Sequence, residues 1–291
     1  MERFIDLHIH SYYSDGLLSP REIVDYALKR NLVAIAIADH DTTLGIAETV
    51  EEGKKRGIEI VPAVELSAEI KNISSTDGGK EAHILGYYIN CENEELQKTL
   101  TFFRQKRKER AQQIYEKLQN LGIKLNPTIL STDSAERERS FGRLHFARAL
   151  IKEGYVASIS QAFQLYLNYG QPAYVEKTRL KPEEAIKLIL RVGGIPVLAH
   201  PYFNSNETIL QTFASYGLEG IEVWHSRHSP NFTQKLISLA KKLGLLMTGG
   251  SDYHGEINEE IPSIGNVKVP YSVLEELKQL RNVPDNNHKI G

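Results

Sequence analysis

Phe4-Ile5-Asp6-Leu7-His8-Ile9-His10 is the stretch of this sequence that says most about its fold. Side chains alternate across a strand, so an apolar strand here would turn Asp6, His8 and His10 to one face. Neutral imidazole is the commonest metal ligand in proteins, and two histidines on one strand face form a ready chelate. The stretch therefore indicates a strand that ends in a metal site, although polar residues on the wet face of an edge strand would give the same pattern.

Length and composition fit a large α/β protein. A chain of 291 residues with 41% hydrophobic residues can form one large domain, or one domain with a smaller insert. Cys91 is the single cysteine, which excludes an internal disulfide framework and fits a reducing compartment. The first residues lead directly into a strand, so we expect no secretory leader and a cytoplasmic location.

Charge and hydropathy limit the partners that we expect. The net charge of −2 argues against bulk electrostatic binding to duplex DNA or to a membrane surface. No apolar run is long enough to cross a membrane, and no obligate protein partner is indicated.

Short apolar runs alternate with amphipathic stretches along most of the chain. Strands are predicted at 4–10, 33–38, 59–64, 83–88, 195–199, 220–224 and 245–249, and helices at 19–30, 43–56, 181–192, 206–216 and 231–243. Strands separated by helices of this length predict βαβ units and a parallel sheet or barrel. Residues 71–80 read as a polar loop or hairpin tip, and the tail 284–291, with His288, reads as disordered.

Residues 91–178 break this rhythm. They predict a long helix over 94–121 and further helices over 141–153 and 160–168, with no comparable strand before 172–175. We therefore predict a barrel built from residues 1–90 and 179–291, with residues 91–178 as an inserted helical domain.

Acidic residues and histidines mark the ends of all seven predicted strands, where an α/β barrel places its chemistry. A capping role would explain any one of them, but not all of them together. They are His8, His10, Asp15, Asp39, His40, Asp41, Glu65, His83, His200, His225, His228, Asp252 and His254. Imidazole and carboxylate without thiolate suit Mn²⁺, Zn²⁺ or Fe²⁺ in a catalytic site. About nine donors suffice for two or three ions, with Glu65 as a bridge. Such ions generate hydroxide at neutral pH and clamp a phosphoryl group, which favours phosphoester hydrolysis.

Several motifs resemble those of the PHP (polymerase and histidinol phosphatase) superfamily. They are Asp6-Leu-His8-Ile-His10-Ser11, Asp39-His40-Asp41-Thr42, Val64-Glu65-Leu66-Ser67, Leu198-Ala-His200-Pro201 and Ser251-Asp252-Tyr253-His254. The helical insert, with Gly142-Arg143-Leu144-His145 and Pro172-Ala173-Tyr174-Val175, looks most like the stand-alone nucleoside bisphosphate phosphatase and exoribonuclease branch. Leu144 departs from the pattern, since relatives often have proline there.

The resemblance implies a distorted (β/α)7 TIM-like barrel with three metal ions, Mn²⁺ first among the candidates. Carried over motif by motif, one ion would take His8, His10, Glu65 and Asp252. A second would take Glu65, His83 and His200, and a third Asp15, His40 and His254. Because the loop before His83 is long, its assignment rests on the least support.

Basic residues of the insert predict a second anion site. The apolar stripe of the long helix continues onto Arg107 and Arg110, and a buried arginine is costly without an anion. The guanidinium fork binds phosphate in a bidentate manner, and Arg143 is a further candidate. A solvated basic helix face is the alternative.

Near the metals, Arg227 and His228 are predicted to contact substrate, and His225 to protonate the leaving oxygen. Asp15 is predicted as a catalytic residue as well as a ligand.

The sequence therefore predicts a metal-dependent phosphoesterase acting on nucleotides or short RNA. The family implies removal of the 3′-phosphate from nucleoside 3′,5′-bisphosphates, 5′–3′ trimming of RNA, or both. A histidinol-phosphate-type phosphatase and a non-catalytic, metal-stabilised accessory module are the alternatives.

Overall fold

The computed structural model describes residues 2–70, 81–130, 139–201, 206–255 and 264–282. Within these ranges eight strands form one sheet in the order β7-β6-β5-β4-β3-β2-β1-β8. The strands are β1 (Phe4–Ile9), β2 (Leu32–Ile37), β3 (Glu59–Glu69), β4 (Glu81–Tyr87), β5 (Ile195–Leu198), β6 (Gly220–His225), β7 (Leu246–Gly250) and β8 (Val269–Pro270). The seven predicted strands are confirmed, whereas β8 was not predicted.

Helices fill most of the intervals between strands. They are α1 (Pro20–Lys29), α2 (Ile46–Arg56), α3 (Glu94–Asn120), α4 (Arg143–Lys152), α5 (Ile159–Ala162), α6 (Pro182–Arg191), α7 (Glu207–Ser215), α8 (Pro230–Leu243) and α9 (Ser272–Asn282). A 3₁₀ turn covers Pro127–Leu130, and a π-helical turn, Phe163–Leu167, continues α5.

Two expectations about elements were wrong, and two fall outside the described residues. Residues 172–175 form no strand, and the sequence reading missed α9. The predicted polar loop at 71–80 and the tail at 284–291, including His288, lie outside the described ranges.

Local sequence signals explain where the helices begin and end. Ser19 caps α1 by accepting from the Glu22 backbone, while the Glu22 carboxylate accepts from Ser19 in return. Pro20 takes the first helical position, where its missing N–H costs nothing. Gly57 ends α2 in a left-handed conformation, at a φ of 73°.

The direction of β4 differs from the parallel arrangement that we predicted. β1, β2 and β3 are parallel to one another, as are β5, β6 and β7, but β4 runs antiparallel to both β3 and β5. A parallel connection needs a crossover, usually a helix, and the polar segment between β3 and β4 carries no helical pattern. The reversal brings the beginning of β4 to the rim at which β3 and β5 end.

The sheet closes into a distorted barrel at β1. The start of β1 pairs with β8, and its end pairs with the chain after β7, where the Asp252 N–H donates to the His8 carbonyl at 2.8 Å. A Cβ on Gly250 would lie 2.4 Å from the His8 backbone nitrogen, so the seam requires glycine there.

The long helix α3 belongs to two hydrophobic clusters. Leu96 and Leu100 pack with buried residues of β3, β4 and α6. Ile114 and Leu118 pack instead in the cluster that holds Phe146 of α4. One continuous helix therefore connects the barrel wall with the helical segment that follows. No helix of the described ranges combines the length and the apolar character needed to cross a membrane.

Candidate metal and phosphate site

The barrel rim brings all nine predicted ligands together. His8, Glu65 and His83 lie on β1, β3 and β4, and the others follow strand ends, namely His10, Asp15, His40, His200, Asp252 and His254. Because β4 is reversed, His83 reaches the rim from the start of its strand, opposite Ser67 in the register.

The first group of ligand atoms lies around the end of β1. His10 Nε2 is 3.2 Å from His8 Nε2, and it is also 3.2 Å from Asp252 Oδ1. Glu65 Oε2 lies 3.5 Å from His8 Nε2 and 3.3 Å from His10 Nε2.

The second group lies around the other oxygen of the same carboxylate. Glu65 Oε1 is 2.8 Å from His83 Nδ1 and 3.0 Å from His200 Nε2. Those two imidazole nitrogens are 3.3 Å apart. Since its two oxygens face different groups, the fully buried Glu65 has the geometry of a bridge.

The third group surrounds Asp15. Asp15 Oδ1 lies 3.4 Å from His254 Nε2 and 3.7 Å from His10 Nδ1, while Oδ2 lies 3.9 Å from His40 Nε2. His40 also meets Glu65 Oε2 through Nδ1, at 2.8 Å. His10 and His40 therefore each contact both the first group, at Glu65 Oε2, and the third group, at Asp15. The three groups overlap and do not form three separate ligand sets.

The donor atoms fit divalent metal ions. Donors at about 2.0–2.2 Å from a shared tetrahedral ion lie about 3.3–3.6 Å from one another, which is close to the separations measured here. Asp15 Oδ1 and Glu65 Oε2 are buried and accept no hydrogen bond of good geometry within the described ranges, although imidazole nitrogens lie near both. Buried carboxylate oxygens without donors are costly, and a cation would satisfy them.

The pKa shifts of the predicted ligands are consistent with a site for cations. Burial raises the pKa of the Glu65 carboxyl, but the imidazoles of His40 and His83 outweigh it and hold the pKa well below its usual range. Burial lowers the pKa of His83 and His254, yet neighbouring carboxylates raise both to about 9. Burial prevails at His40 and lowers its pKa to about 4. The pKa values thus make His83 and His254 protonated and His40 neutral near pH 7, and all three lie close to ionised carboxylates.

Buried carboxylates behind the ligands fix their orientation. Glu222 Oε1 lies 3.0 Å from His8 Nδ1, and Glu222 Oε2 accepts from the His200 backbone N–H at 2.7 Å. Asp6 shares the strand face of His8 and His10, but its carboxylate accepts the backbone N–H groups of Ser251 and Gly265. A carboxylate in the middle of the apolar β6 sequence was the signal for Glu222 that sequence reasoning missed.

A cleft of about 800 Å³ opens from the predicted metal ligands toward α3 and α4. Its charged lining includes Arg107 and Arg110 of α3, Arg143 of α4, and Lys177. Acidic and imidazole groups, with Arg227, therefore line the cleft on the barrel side, and further cationic groups line it on the side of α3 and α4.

Arg107 already has an anionic partner within the protein. Its Nε donates to Asp41 Oδ2 at 2.8 Å, its Nη1 to the Phe141 carbonyl and its Nη2 to Ser67 Oγ. Asp41 is equally buried and compensates the guanidinium charge. This contact argues against the direct phosphate-binding role that we predicted for Arg107.

Arg110 and Arg143 retain more donor capacity toward the cleft. Arg110 Nε donates to the Val175 carbonyl, and Arg143 Nη1 donates to the Leu167 carbonyl. Burial, together with Arg143 and Arg107, lowers the pKa of Arg110 to about 9. Closely spaced buried cations favour an anionic ligand, which would relieve both the burial cost and the mutual repulsion.

The sequence analysis did not identify two residues of the cleft, Lys177 and Glu81. Lys177 lies 2.5 Å from Glu81 Oε1, and the same oxygen lies 3.1 Å from His83 Nε2. Burial and Arg107 lower the pKa of Lys177 to about 8. Glu81 thus connects a predicted metal ligand with a cation in the cleft.

Arg148 of α4 contacts two parts of the barrel rim. Its Nη1 donates to the Asp15 carbonyl at 2.5 Å and its Nη2 to the His254 carbonyl at 3.0 Å.

The residues at the end of β6 and just after it divide into two kinds. His225 lines the cleft with Nε2 3.3 Å from Asp252 Oδ2, and its Nδ1 accepts from the Arg227 backbone N–H. Because Nδ1 is an acceptor, the proton of a neutral His225 lies on Nε2. The Arg227 side chain also lines the cleft. His228 does not; its Nδ1 contacts the Val223 carbonyl, which argues against the substrate role predicted for it.

Comparison with known proteins identifies the family. The PHP domain model matches residues 6–191 of the chain. The chain belongs to the PHP domain family. A 3′,5′-nucleoside bisphosphate phosphatase of Chromobacterium violaceum is 34% identical to this PHP chain, over 86% of the chain and 87% of the relative. The Escherichia coli 5′-3′ exoribonuclease Rnm is also 34% identical, over 86% of the chain and 84% of the relative.

Solved structures share the whole architecture of this PHP chain. A Bifidobacterium adolescentis protein assigned as a metal-dependent phosphoesterase superimposes with a TM-score of 0.86 at 28% identity, and 97% of each chain is covered. An amidohydrolase of Chromobacterium violaceum, solved with sulfate and without metal, gives a TM-score of 0.81 at 30% identity, with 94% of this chain and 96% of that chain covered.

Proposed function

We propose that this PHP chain is a metal-dependent phosphoesterase that removes the 3′-phosphate of nucleoside 3′,5′-bisphosphates and trims short RNA from its 5′ end. The observation that carries the proposal is the cleft itself, in which the predicted metal ligands face Arg110 and Arg143 across one cavity. Two separate anion-binding regions suit a substrate with two phosphates. The names of the relatives support the same substrate class.

The chemistry divides between the two sides of the cleft. We propose two or three divalent ions, Mn²⁺ foremost, on the nine ligands at the rim; when bound, they would activate water and neutralise charge on the phosphoryl group. Arg110 and Arg143 would hold the second phosphate, and residues 91–178 would act as the substrate-binding insert. Hydrolysis forms a bond from a water oxygen to phosphorus and breaks the bond to the 3′-oxygen. The imidazolium form of His225 would give its Nε2 proton to the leaving 3′-oxygen, and the proton lost by the water would restore that form. Asp15 would serve as a ligand and would orient the attacking water.

The test compares Mn²⁺-loaded protein on adenosine 3′,5′-bisphosphate, adenosine 5′-monophosphate and a short 5′-phosphorylated RNA. We expect turnover of the bisphosphate and of the RNA, loss of it with a chelator, and recovery with Mn²⁺. Arg110→Ala should lower kcat/KM for the bisphosphate by about 10–100-fold, since it removes a charge-assisted contact to phosphate. Lys108→Ala removes an exposed charge from the same helix and is the matched control.

Three outcomes would contradict the proposal. Equal, small effects of Arg110→Ala on all substrates would refute the two-phosphate clamp. Preference for a small non-nucleotide monophosphate would favour a histidinol-phosphate-type phosphatase. A flat profile across phosphoesters with metal bound would favour an accessory module.

A further inference from the structure

Arg227 differs from the other arginine and lysine side chains that line the cleft. Those others each donate to a carboxylate or a carbonyl of the protein, and they are Arg107, Arg110, Arg143, Arg148 and Lys177. The Arg227 guanidinium has no such acceptor within the described ranges, and Arg227 alone among them is exposed. It is therefore the cation of the cleft whose donors are all available to a ligand.

The backbone of Arg227 is fixed beside the candidate proton donor. Arg227 follows β6 by two residues, and its N–H donates to His225 Nδ1 at 3.2 Å. His225 Nε2 in turn lies 3.3 Å from Oδ2 of the predicted metal ligand Asp252. The guanidinium is thus carried on an anchored backbone next to the place where phosphate would react.

Ser226, the residue between them, has a hydroxyl without a partner. Ser226 lines the cleft, and its Oγ is buried with no hydrogen-bond partner in the part of the chain that the structure describes. A buried hydroxyl in this state is costly, and a bound ligand would satisfy it. Phosphate oxygens accept hydrogen bonds from both arginine and serine side chains. We call Ser226 and Arg227 the β6 pair.

The β6 pair lies apart from the groups already assigned to the two phosphates of a nucleoside bisphosphate. In the proposed function the ions hold the reacting phosphate, and Arg110 and Arg143 hold the 5′-phosphate from α3 and α4. The β6 pair belongs to the barrel side of the cleft instead. An RNA chain continues from its reacting phosphate into the next nucleotide, so it brings a further phosphate that a bisphosphate lacks.

We propose that Ser226 and Arg227 bind the phosphodiester that follows the scissile phosphate of an RNA substrate. This inference rests on the proposed trimming of RNA and adds a third anion position to the cleft. Arg227 is then the residue that favours an RNA chain over a substrate with two phosphates.

The experiment compares 5′-phosphorylated diadenylate, which has no phosphate after the scissile one, with 5′-phosphorylated triadenylate, which has it. The unaltered, Mn²⁺-loaded protein should cleave the first linkage of the trinucleotide with a higher kcat/KM than that of the dinucleotide. Arg227→Ala should lower the ratio of the two values by about 5–10-fold, since a charge-assisted contact to phosphate is lost. Ser226→Ala should lower it less, and Arg227→Lys should retain part of it. Lys235→Ala, which removes an exposed charge of α8 outside the cleft lining, is the control.

Binding without turnover gives a second measurement. Fluorescence anisotropy of 3′-labelled trinucleotide on the metal-free protein gives Kd at several salt concentrations. Arg227→Ala should make the slope of log Kd against log salt shallower by about 0.7, the value for one phosphate contact on a single strand. An unchanged slope would contradict the contact.

The outcomes separate this proposal from the proposed function. Equal losses on dinucleotide and trinucleotide would place Arg227 on one of the first two phosphates, and no loss on either would make it a solvated arginine; both overturn the third anion position alone. Failure of the unaltered, Mn²⁺-loaded protein on both RNAs and on adenosine 3′,5′-bisphosphate would overturn the proposed function itself.

Discussion

At the scale of single residues, backbone conformation shows where this molecule departs from ordinary packing. Asp41, His200 and Asp252 all have positive φ values, of 51°, 25° and 54°. Side chains other than glycine rarely adopt this conformation, and it is tolerated mainly where function depends on it. Two of the three are predicted metal ligands, and the third pairs with Arg107. Three of the five non-glycine residues with positive φ in the described ranges therefore lie at the rim of the barrel, and the other two are Asn31 and Tyr88.

His225 can be tested by the choice of leaving group. His225→Gln removes the proton that we place on Nε2, so kcat for nucleoside bisphosphates should fall by about 10²–10⁴-fold. An aryl phosphate has a leaving oxygen that needs no protonation and should lose far less. Steady-state kinetics on both substrates check this, and equal losses would rule out a proton donor.

Glu222 should affect the metal affinity through His8, although it is not itself a predicted ligand. Glu222→Gln weakens the acceptor that orients His8, and loss of such a partner costs about 10–100-fold in metal affinity. Competition with a chromophoric chelator measures the affinity. Glu275→Gln, an exposed carboxylate on α9, is the matched control. Unchanged affinity together with lower thermal stability would show a purely structural role.

At the scale of elements, α3 connects the barrel wall with the hydrophobic cluster that holds α4. Its first half packs in the barrel wall, and its second half packs in the cluster of α4. A substitution that loosens the packing of the second half of α3 should therefore disturb α4 and the cleft arginines more than it disturbs the predicted metal ligands.

Leu118→Ala tests this separation. Leu118 is fully buried, so the cavity should cost about 2–5 kcal/mol of local stability and raise KM for nucleotides. Metal affinity should stay unchanged. Leu121→Ala, three residues on and 47% exposed, is the control and should cost less than about 0.5 kcal/mol. Urea unfolding and metal titration measure the two effects, and a parallel loss of metal affinity would disprove the separation.

Sequence alone predicts most of the elements and brings the candidate ligands to one place. Alternation in Phe4–His10 and the acidic or imidazole residues at strand ends suffice for that, because strand ends share a rim. The partners of buried charges depend on the tertiary structure. Nothing near Arg107 in the sequence points to Asp41, and nothing local reverses β4, whose direction depends on a connection without a helix.

At the scale of the whole molecule, side chains of opposite charge are separated across the cleft. The chain carries a net charge of −2, yet one cleft gathers Arg110, Arg143 and Lys177 opposite a set of carboxylates and imidazoles. Metal ions would make the carboxylate side cationic as well, so the loaded cleft would attract polyanions despite the overall charge.

Metal loading should release protons. Metal ligands must be deprotonated, and His83 and His254, with pKa values raised to about 9, each carry a proton near neutral pH. Protons compete with metal for these two imidazoles at any pH below their pKa values. The apparent metal affinity should therefore rise as the pH increases toward about 9. Calorimetry in buffers of different ionisation enthalpy counts the protons.

His145 supplies the control for this measurement. Burial lowers its pKa to about 4, so it is already neutral and His145→Asn should leave the proton count unchanged. Metal binding without net proton release would contradict the assignment of His83 and His254 as ligands.

The contact of Arg148 with the carbonyls of Asp15 and His254 has a thermodynamic consequence. One guanidinium of α4 supports the backbone beside two candidate ligands, so we expect a substrate that contacts α4 and the ions at the rim to favour each other's binding. Such coupling is reciprocal by necessity: the substrate must raise the affinity for the ions by the factor by which the ions raise its own. Substrate and metal would then bind as cooperative partners.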